Sequence, residues 1–286
     1  MTQALNPLSN FYRSPKLYTN IPSKGKFYSD DVLDMPDNQE LPIYPMTARD
    51  ESIMKNPDAL LNGDAVSQVI MSCVPTVKEP MKMLSNDIDT LLVAIQAATY
   101  GDLLEVKADC PQEKCEGKVE GTASAEVILG TMNTLDETYS FETDTGLVVE
   151  IRPFTYDSSI KSGIATFQST RSLQNLTAIE DEMEQLKAFN ASFVKISALN
   201  FDLMVDSVAS ISGTDAEGNT FVESDRENIR QYMENCSSTV GHDIEKKIEL
   251  VNSIGINTKV DMVCPECEHE FTQEVSFDPV NFSTGS

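Results

Sequence analysis

Val260-Asp-Met-Val-Cys-Pro-Glu-Cys-Glu-His-Glu-Phe-Thr-Gln-Glu-Val-Ser-Phe277 is the stretch around which the rest of the chain is read. Val260 and Met262 precede Cys264-Pro265-Glu266-Cys267, and Phe271, Val275 and Phe277 follow it, so two short strands flank a tight turn. Two cysteines three apart on such a turn aim both thiolates at one point, and the turn amides are placed to hydrogen-bond the sulfurs. A structural zinc ion asks for four such ligands in a closed tetrahedron. The pattern therefore reads as a zinc knuckle on a β-hairpin, and it supplies half a site.

The other half is expected in Leu103-Leu-Glu-Val-Lys-Ala-Asp-Cys-Pro-Gln-Glu-Lys-Cys-Glu-Gly-Lys-Val-Glu120, where an alternating run again enters a Cys-Pro turn that Cys115 closes. Here the spacing is C-x4-C, looser than the C-x2-C of Cys264 and Cys267, and the pairs lie 264 − 115 = 149 positions apart. Together Cys110, Cys115, Cys264 and Cys267 form the expected ligand set of one structural zinc, in a zinc-ribbon-like element carrying a helical insertion. Three other readings compete. A disulfide set needs an oxidising compartment; a C-x-x-C redox site normally opens a helix after a strand, whereas this one lies between strands; and the third reading is four ordinary free thiols. His269 could replace a cysteine, but it reads more simply as a solvent-facing strand residue. Cys73 and Cys236 lie in helical patterns and read as small core residues.

The chain has 286 residues, of which 40% are hydrophobic, enough for one large or two modest domains with a real core. It carries 21 basic and 46 acidic residues, so 21 − 46 = −25. Such a field repels phosphate backbones and anionic lipid, which argues against a nucleic-acid or membrane-surface role. Met1-Thr-Gln-Ala-Leu-Asn-Pro7 lacks a basic start and an apolar core, so no signal peptide is expected. A reducing cytoplasm follows, where paired cysteines more often hold metal than bond to each other.

Residues 1–45 read as an extended arm. Prolines at 7, 15, 22, 36, 42 and 45 discourage helix, while Phe11, Tyr12, Tyr18, Phe27, Tyr28 and Tyr44 need a surface to bury against. Residues 46–102 read as a helical domain: Thr47 is an N-cap with Asp50 and Glu51 in the first turn, Pro57 starts a helix, Pro75 ends one, and Ile88, Leu91, Leu92, Ile95, Ala98 and Thr99 give a buried face that stops at Gly101. Residues 103–286 read as the zinc-ribbon-like domain, with hairpins and helices inserted over 135–255. Tyr139 to Pro153 and Val208 to Val222 are expected hairpins, Ser224-Asp-Arg-Glu227 a capping box, and His242 to Asn252 a helix. Ile179, Met183, Leu186, Phe189, Phe193, Ile196, Leu199 and Leu203 step by three and four, as one face of a long helix over about 177–205. Such a stripe is ordinarily internal core; a partner-binding face is the less common outcome. The expected class is α+β, a mainly helical body with short antiparallel hairpins.

No H-E-x-x-H, G-x-S-x-G, G-x-x-x-x-G-K-[ST] or G-x-G-x-x-G occurs. His242 and His269 are the two histidines, few for general-base work near neutral pH. Ser158-Ser-Ile-Lys161 matches S-x-x-K without a K-T-G, and Asp215 to Glu223 has the wrong spacing for a calcium loop and the right one for a hairpin turn. No catalytic residue is assigned.

Asn6-Pro-Leu-Ser9, Ile21-Pro-Ser-Lys-Gly-Lys-Phe-Tyr28, Asp34-Met-Pro36, Glu40-Leu-Pro-Ile-Tyr-Pro-Met-Thr-Ala-Arg-Asp-Glu51, Asn56-Pro-Asp-Ala-Leu-Leu-Asn-Gly63, Ser72-Cys-Val-Pro75 and Asp87-Ile-Asp-Thr-Leu-Leu-Val-Ala-Ile95 form a nearly collinear series. In them the chain resembles the T-even-type phage baseplate protein family, hub subunits or hub assembly factors of contractile-tailed phages. The closing knuckle also fits, while the first departs from the C-P-x-C that the family leads one to expect. The resemblance implies a non-enzymatic structural or assembly role in the baseplate hub, with other hub or tail proteins as partners and no nucleic acid, membrane or small-molecule substrate. It places the chain in the virion tail baseplate, and in the host cytoplasm during assembly. Two alternatives stand beside it: an assembly chaperone absent from the mature virion, and a small cytoplasmic enzyme or zinc-ribbon adaptor.

Overall fold

The computed structural model describes residues 8, 11–176, 182–215 and 217–274. The described part of residues 1–45 consists of turns and two short strands packed against the helices that follow. Strand β1 (Leu17–Thr19) pairs antiparallel with β2 (Leu41–Ile43), Leu17 facing Ile43. Ile21, Leu33, Leu41 and Ile43 are buried in the same side-chain cluster as the first helices, so most of the arm is part of a core. Its aromatic residues divide. Phe27 and Tyr28 pack inward, whereas Phe11, Tyr12 and Tyr18 are exposed. On β1 the side chains alternate across the strand, so Leu17 and Thr19 are half-buried and Tyr18 faces outward. Arg13 fastens the start of the described arm: its Nη2 donates to the carbonyl and hydroxyl of Ser72, each at 2.7 Å, and its guanidinium lies 5.8 Å from the Tyr44 ring centre.

Thr47 caps α1 (Ala48–Met54) in a capping box with Asp50, and Asn56 caps α2 (Pro57–Leu61). Helix α3 (Asp64–Cys73) ends before Pro75, as expected from the helix-breaking ring. Helix α4 (Ser85–Tyr100) stops at Gly101, whose φ of 100° suits a residue without a side chain. Burial covers far more of α4 than the one face expected. Ile88, Leu91, Leu92 and Ile95 enter the first cluster, Val93 enters a different one, and Asn86, Asp87 and Thr90 are buried as well. A helix enclosed on so many sides has little amphipathic contrast to read. Asp87 also ties the arm to α4: its Oδ1 accepts from the Ser23 amide at 2.9 Å, its Oδ2 accepts from the Tyr28 hydroxyl, and that hydroxyl accepts from the Leu84 amide at 2.8 Å.

The chain then forms the antiparallel pair β3 (Leu103–Asp109) and β4 (Lys118–Ser124), followed by the short helix α5 (Ala125–Gly130). A four-stranded antiparallel sheet comes next, in spatial order β5 (Tyr139–Glu142), β6 (Val148–Ile151), β7 (Val208–Thr214), β8 (Thr220–Glu223). Between β6 and β7 stand the paired helices α6 (Tyr156–Leu176) and α7 (Glu182–Ser207). Asp225, the second residue of the expected capping box, is the N-cap of α8 (Arg226–Asn235), and Ser237 caps α9 (Ser238–Asn252). The second core lies where the sheet meets α8 and α9, built on Val149, Ile151, Val205, Ile211, Ile229, Ile244 and Val251. The chain closes on the antiparallel pair β9 (Lys259–Val263) and β10 (Glu270–Glu274); Val275 and Phe277 lie outside the described residues. The fold is α+β, as expected.

The exposure of Phe11, Tyr12 and Tyr18 departs from expectation, and so does the long apolar stripe. The stripe on α7 is core only near its C-terminal end, where Leu203 is buried; Leu186, Phe189 and Phe193 are exposed. Ile179 lies outside the described residues. The spacing that defines an apolar face is the same whether that face meets its own body or open solvent.

Candidate metal centre

The centre sits where two hairpin turns meet. Alternation on β3 and β4 turns Leu104, Val106, Val119 and Ala123 inward, and Met262 of β9 joins them, forming a third side-chain cluster with Ala125 and Ile128. The hairpins touch so closely that a side chain carbon at Gly121 would meet the Met262 terminal methyl at 3.3 Å. This packing brings the tips of both hairpins together across a sequence separation of 149 positions.

At the tips, the four Sγ atoms of Cys110, Cys115, Cys264 and Cys267 all lie within 4.8 Å of one another. Cys110 and Cys267 approach to 3.6 Å, Cys115 and Cys264 to 3.7 Å. A disulfide needs about 2.05 Å, so these are free thiols rather than bonded pairs. Four sulfurs at about 2.3 Å from a central ion would define a tetrahedron with edges of about 3.8 Å. The two closest separations match that edge, all six stay within 4.8 Å, and the geometry is able to hold a metal ion. Each close contact joins one cysteine from each hairpin, so neither pair closes a site by itself.

Burial is graded across the cluster: Cys264 is fully enclosed, Cys110 buried, Cys115 half-buried and Cys267 exposed. The Cys264 thiol is raised by burial, but the amides of Cys267 and Glu266 and the neighbouring thiols outweigh this and leave its pKa lowered to about 7. The Cys73 thiol shows the opposite balance. Burial pushes it up to about 11, and it sits in α3 beside Arg13, away from the cluster. Cys236 ends α8 and is likewise apart. His269 is half-buried and does not join the four; its carbonyl accepts from the Cys264 amide at 2.9 Å, and its ring stacks on Phe271.

Sequence reasoning missed the residue that makes the cluster possible. A side-chain carbon at Gly117 would lie 2.8 Å from Cys264 Sγ and 3.2 Å from Cys115 Sγ. The chain can pass the sulfurs there only without a side chain. The turns also carry two non-glycine residues with left-handed backbone, Lys114 at φ 70° and Glu268 at φ 58°, each adjacent to a cysteine. A glycine two residues past a closing cysteine was the available signal for the first; nothing in Lys114 or Glu268 marks them.

No curated protein and no solved structure matches this chain. The described residues contain no helix long and apolar enough to cross a membrane. A family model described as T4 bacteriophage base plate protein matches residues 14–282, which takes in the arm from residue 14 on, all three side-chain clusters and both cysteine turns. The chain belongs to the T4 bacteriophage base plate protein family.

Proposed function

We propose that the chain is a structural subunit of the baseplate hub of a contractile phage tail, acting through protein–protein contacts and without catalysis. The observation that carries this reading is the family match over residues 14–282. The hub assignment rests on the resemblance of residues 6–101 to hub proteins of this family. An acidic surface, with 46 acidic against 21 basic residues, supports contact with basic protein surfaces rather than with nucleic acid. Phage lacking this chain should accumulate tails without completed baseplates in electron micrographs, and supply of the chain in trans should restore them. Normal baseplates in its absence would contradict the role.

Within the same proposal, Cys110, Cys115, Cys264 and Cys267 hold one structural zinc ion in a zinc-ribbon-like element. An all-thiolate tetrahedral set suits zinc, and four protein ligands leave no open position for a substrate or a reactive water. The ion then joins the start and the end of the segment 103–286, with the hairpins and helices of 135–255 inserted between. The arm of residues 1–45 and the helices of 46–102 complete the proposed organisation. Protein purified without chelator should contain one zinc per chain by elemental analysis. Gly117→Val should lower the bound metal at least about tenfold, because its methyl groups would occupy the space the sulfurs need. Gly121→Ala, which meets only a flexible methionine tip at 3.3 Å, should retain the ion. Full metal content in Gly117→Val would refute the account of that glycine.

A further inference from the structure

The four cysteines of the candidate metal centre differ in what surrounds them. Cys264 is fully enclosed, and its Sγ accepts from the amides of Cys267 and Glu266, which hold it on its own turn. Cys110 and Cys115 each accept from one amide, that of Gln112 and that of Gly117. A side-chain carbon at Gly117 would lie 2.8 Å from Cys264 Sγ and 3.2 Å from both Cys115 Sγ and the Glu266 carboxyl carbon. Gly117 and the Glu266 side chain therefore crowd the Cys115–Cys264 side of the cluster. The opposite side is open. Cys267 is the exposed member of the four, and Cys110 lies across from it at 3.6 Å.

Oxidation of a cysteine follows its thiolate character and its access to the oxidant. A zinc ligand is deprotonated whichever cysteine it is, so access decides among the four and singles out Cys267. A neutral oxidant suits this position best. Glu266 and Glu268 stand on either side of Cys267 in the chain and disfavour an anion, whereas hydrogen peroxide carries no charge.

We propose that Cys267 is an oxidation site, and that a peroxide converts the Cys110–Cys267 pair into a disulfide that joins the two hairpin tips in place of the metal. The inference rests on the reading of the four cysteines as a zinc site. In the first step the Cys267 thiolate attacks one peroxide oxygen. An S–O bond forms, the O–O bond breaks, and the departing hydroxide takes up a proton to become water. In the second step the Cys110 thiolate attacks the sulfenic sulfur of Cys267. The S–S bond forms, the S–O bond breaks, and the second hydroxide takes up a proton. Two thiolates, one hydrogen peroxide and two protons thus become one disulfide and two waters, the sulfurs giving up the two electrons that the peroxide gains. The sulfurs close from 3.6 Å to about 2.05 Å, a movement of about 0.8 Å each. Cys115 and Cys264 are left, too few for a closed zinc site, so the ion departs. A bond within the turn, Cys264 to Cys267, would draw Cys264 Sγ from the two amides that hold it and leave the hairpins unjoined. The bond across the cluster keeps them together. A subunit retained in the particle, as proposed, would carry that link under the oxidising conditions outside the host.

Titration of the full chain with hydrogen peroxide tests this, with released zinc read by a chromophoric chelator and disulfides read by peptide mass spectrometry. Trypsin cuts between Cys110 and Cys115 at Lys114, and a glutamate-specific protease cuts between Cys264 and Cys267 at Glu266, so each pairing gives its own peptides. The expected result is release of zinc in step with the Cys110–Cys267 disulfide, which should outnumber the Cys264–Cys267 product about tenfold or more. Dithiothreitol with added zinc should restore the starting state. Cys236→Ser should leave both readouts unchanged, since Cys236 lies apart at the end of α8. A dominant Cys264–Cys267 or Cys110–Cys115 bond would overturn the proposal. So would Cys267 driven to sulfinic acid with Cys110 still reduced, or zinc retained with Cys267 unmodified in excess peroxide. Zinc measured before peroxide is added judges the metal reading separately: protein isolated without zinc refutes that reading, while the peptide map still decides the pairing.

Discussion

Cys264→Ser is expected to release the proposed zinc ion and loosen both hairpin tips at once. Cys264 is the most enclosed of the four sulfurs and faces Cys115 at 3.7 Å, on the opposite hairpin. Removing it leaves three thiols, two on one turn and one on the other. Structural zinc contributes on the order of 10 kcal/mol in folds that depend wholly on it. Here Val106, Val119 and Met262 already form a core beneath the site. The loss should therefore be smaller, about 3–5 kcal/mol, which corresponds to a fall in Tm of roughly 6–20 °C for a chain of this size. Hydrogen exchange should rise in residues 110–117 and 264–269 together. Cys73→Ser is the control: its sulfur lies in the first core, so it should cost stability and leave metal content unchanged. Exchange that rises at one turn and leaves the other protected would show that the turns are not cross-linked.

The second large effect concerns the Ser23–Tyr28–Asp87 latch. Burial pushes the Asp87 carboxyl up from 3.8 to about 6, against hydrogen bonds from Ser23 and Tyr28 that pull it down. Because the folded pKa is the higher one, the folded state binds more protons than the unfolded state between these two values. The resulting stability is fully present below about pH 3.8 and is lost as pH rises through about 6. The span amounts to about 3 kcal/mol. Asp87→Asn removes the titration, so the stability difference between it and the natural chain should change by about that amount between pH 4 and 7. Tyr28→Phe deprives both Asp87 Oδ2 and the Leu84 amide of a partner, and should cost about 3 kcal/mol at neutral pH. Limited proteolysis would then cut within residues 20–35 faster than in the natural chain. A pH profile for Asp87→Asn that parallels the natural one would show that this carboxyl is not the titrating group.

Where the sequence could be read, the signal was local and steric. The Cys-Pro turns, the Thr47 cap, Pro57 at a helix start and the Gly101 stop each follow from the chemistry of a few neighbouring residues, and each appears as expected. The unread parts depend on distant partners. Strands β1 and β2 have three residues each, too few to show alternation, and exist because residues 17–19 and 41–43 meet. Helix α5 has six residues and is set by Ser124, whose hydroxyl accepts from the Val127 amide at 3.1 Å. The stripe on α7 has the spacing of a core, yet Leu186, Phe189 and Phe193 are exposed, a distinction held in the surroundings of the helix. Gly117 belongs to the same class. Its need for an absent side chain arises from sulfurs 149 positions apart in sequence, so it becomes visible only when both hairpins are in place.

The most direct measurement of the central claim is quantitative peptide mass spectrometry of purified mature virions. A structural subunit should be present at a fixed whole-number ratio to the other baseplate proteins, unchanged through repeated purification. Absence of the chain from infectious particles, while tails still require it to form, would contradict a structural subunit and identify a factor that leaves after assembly.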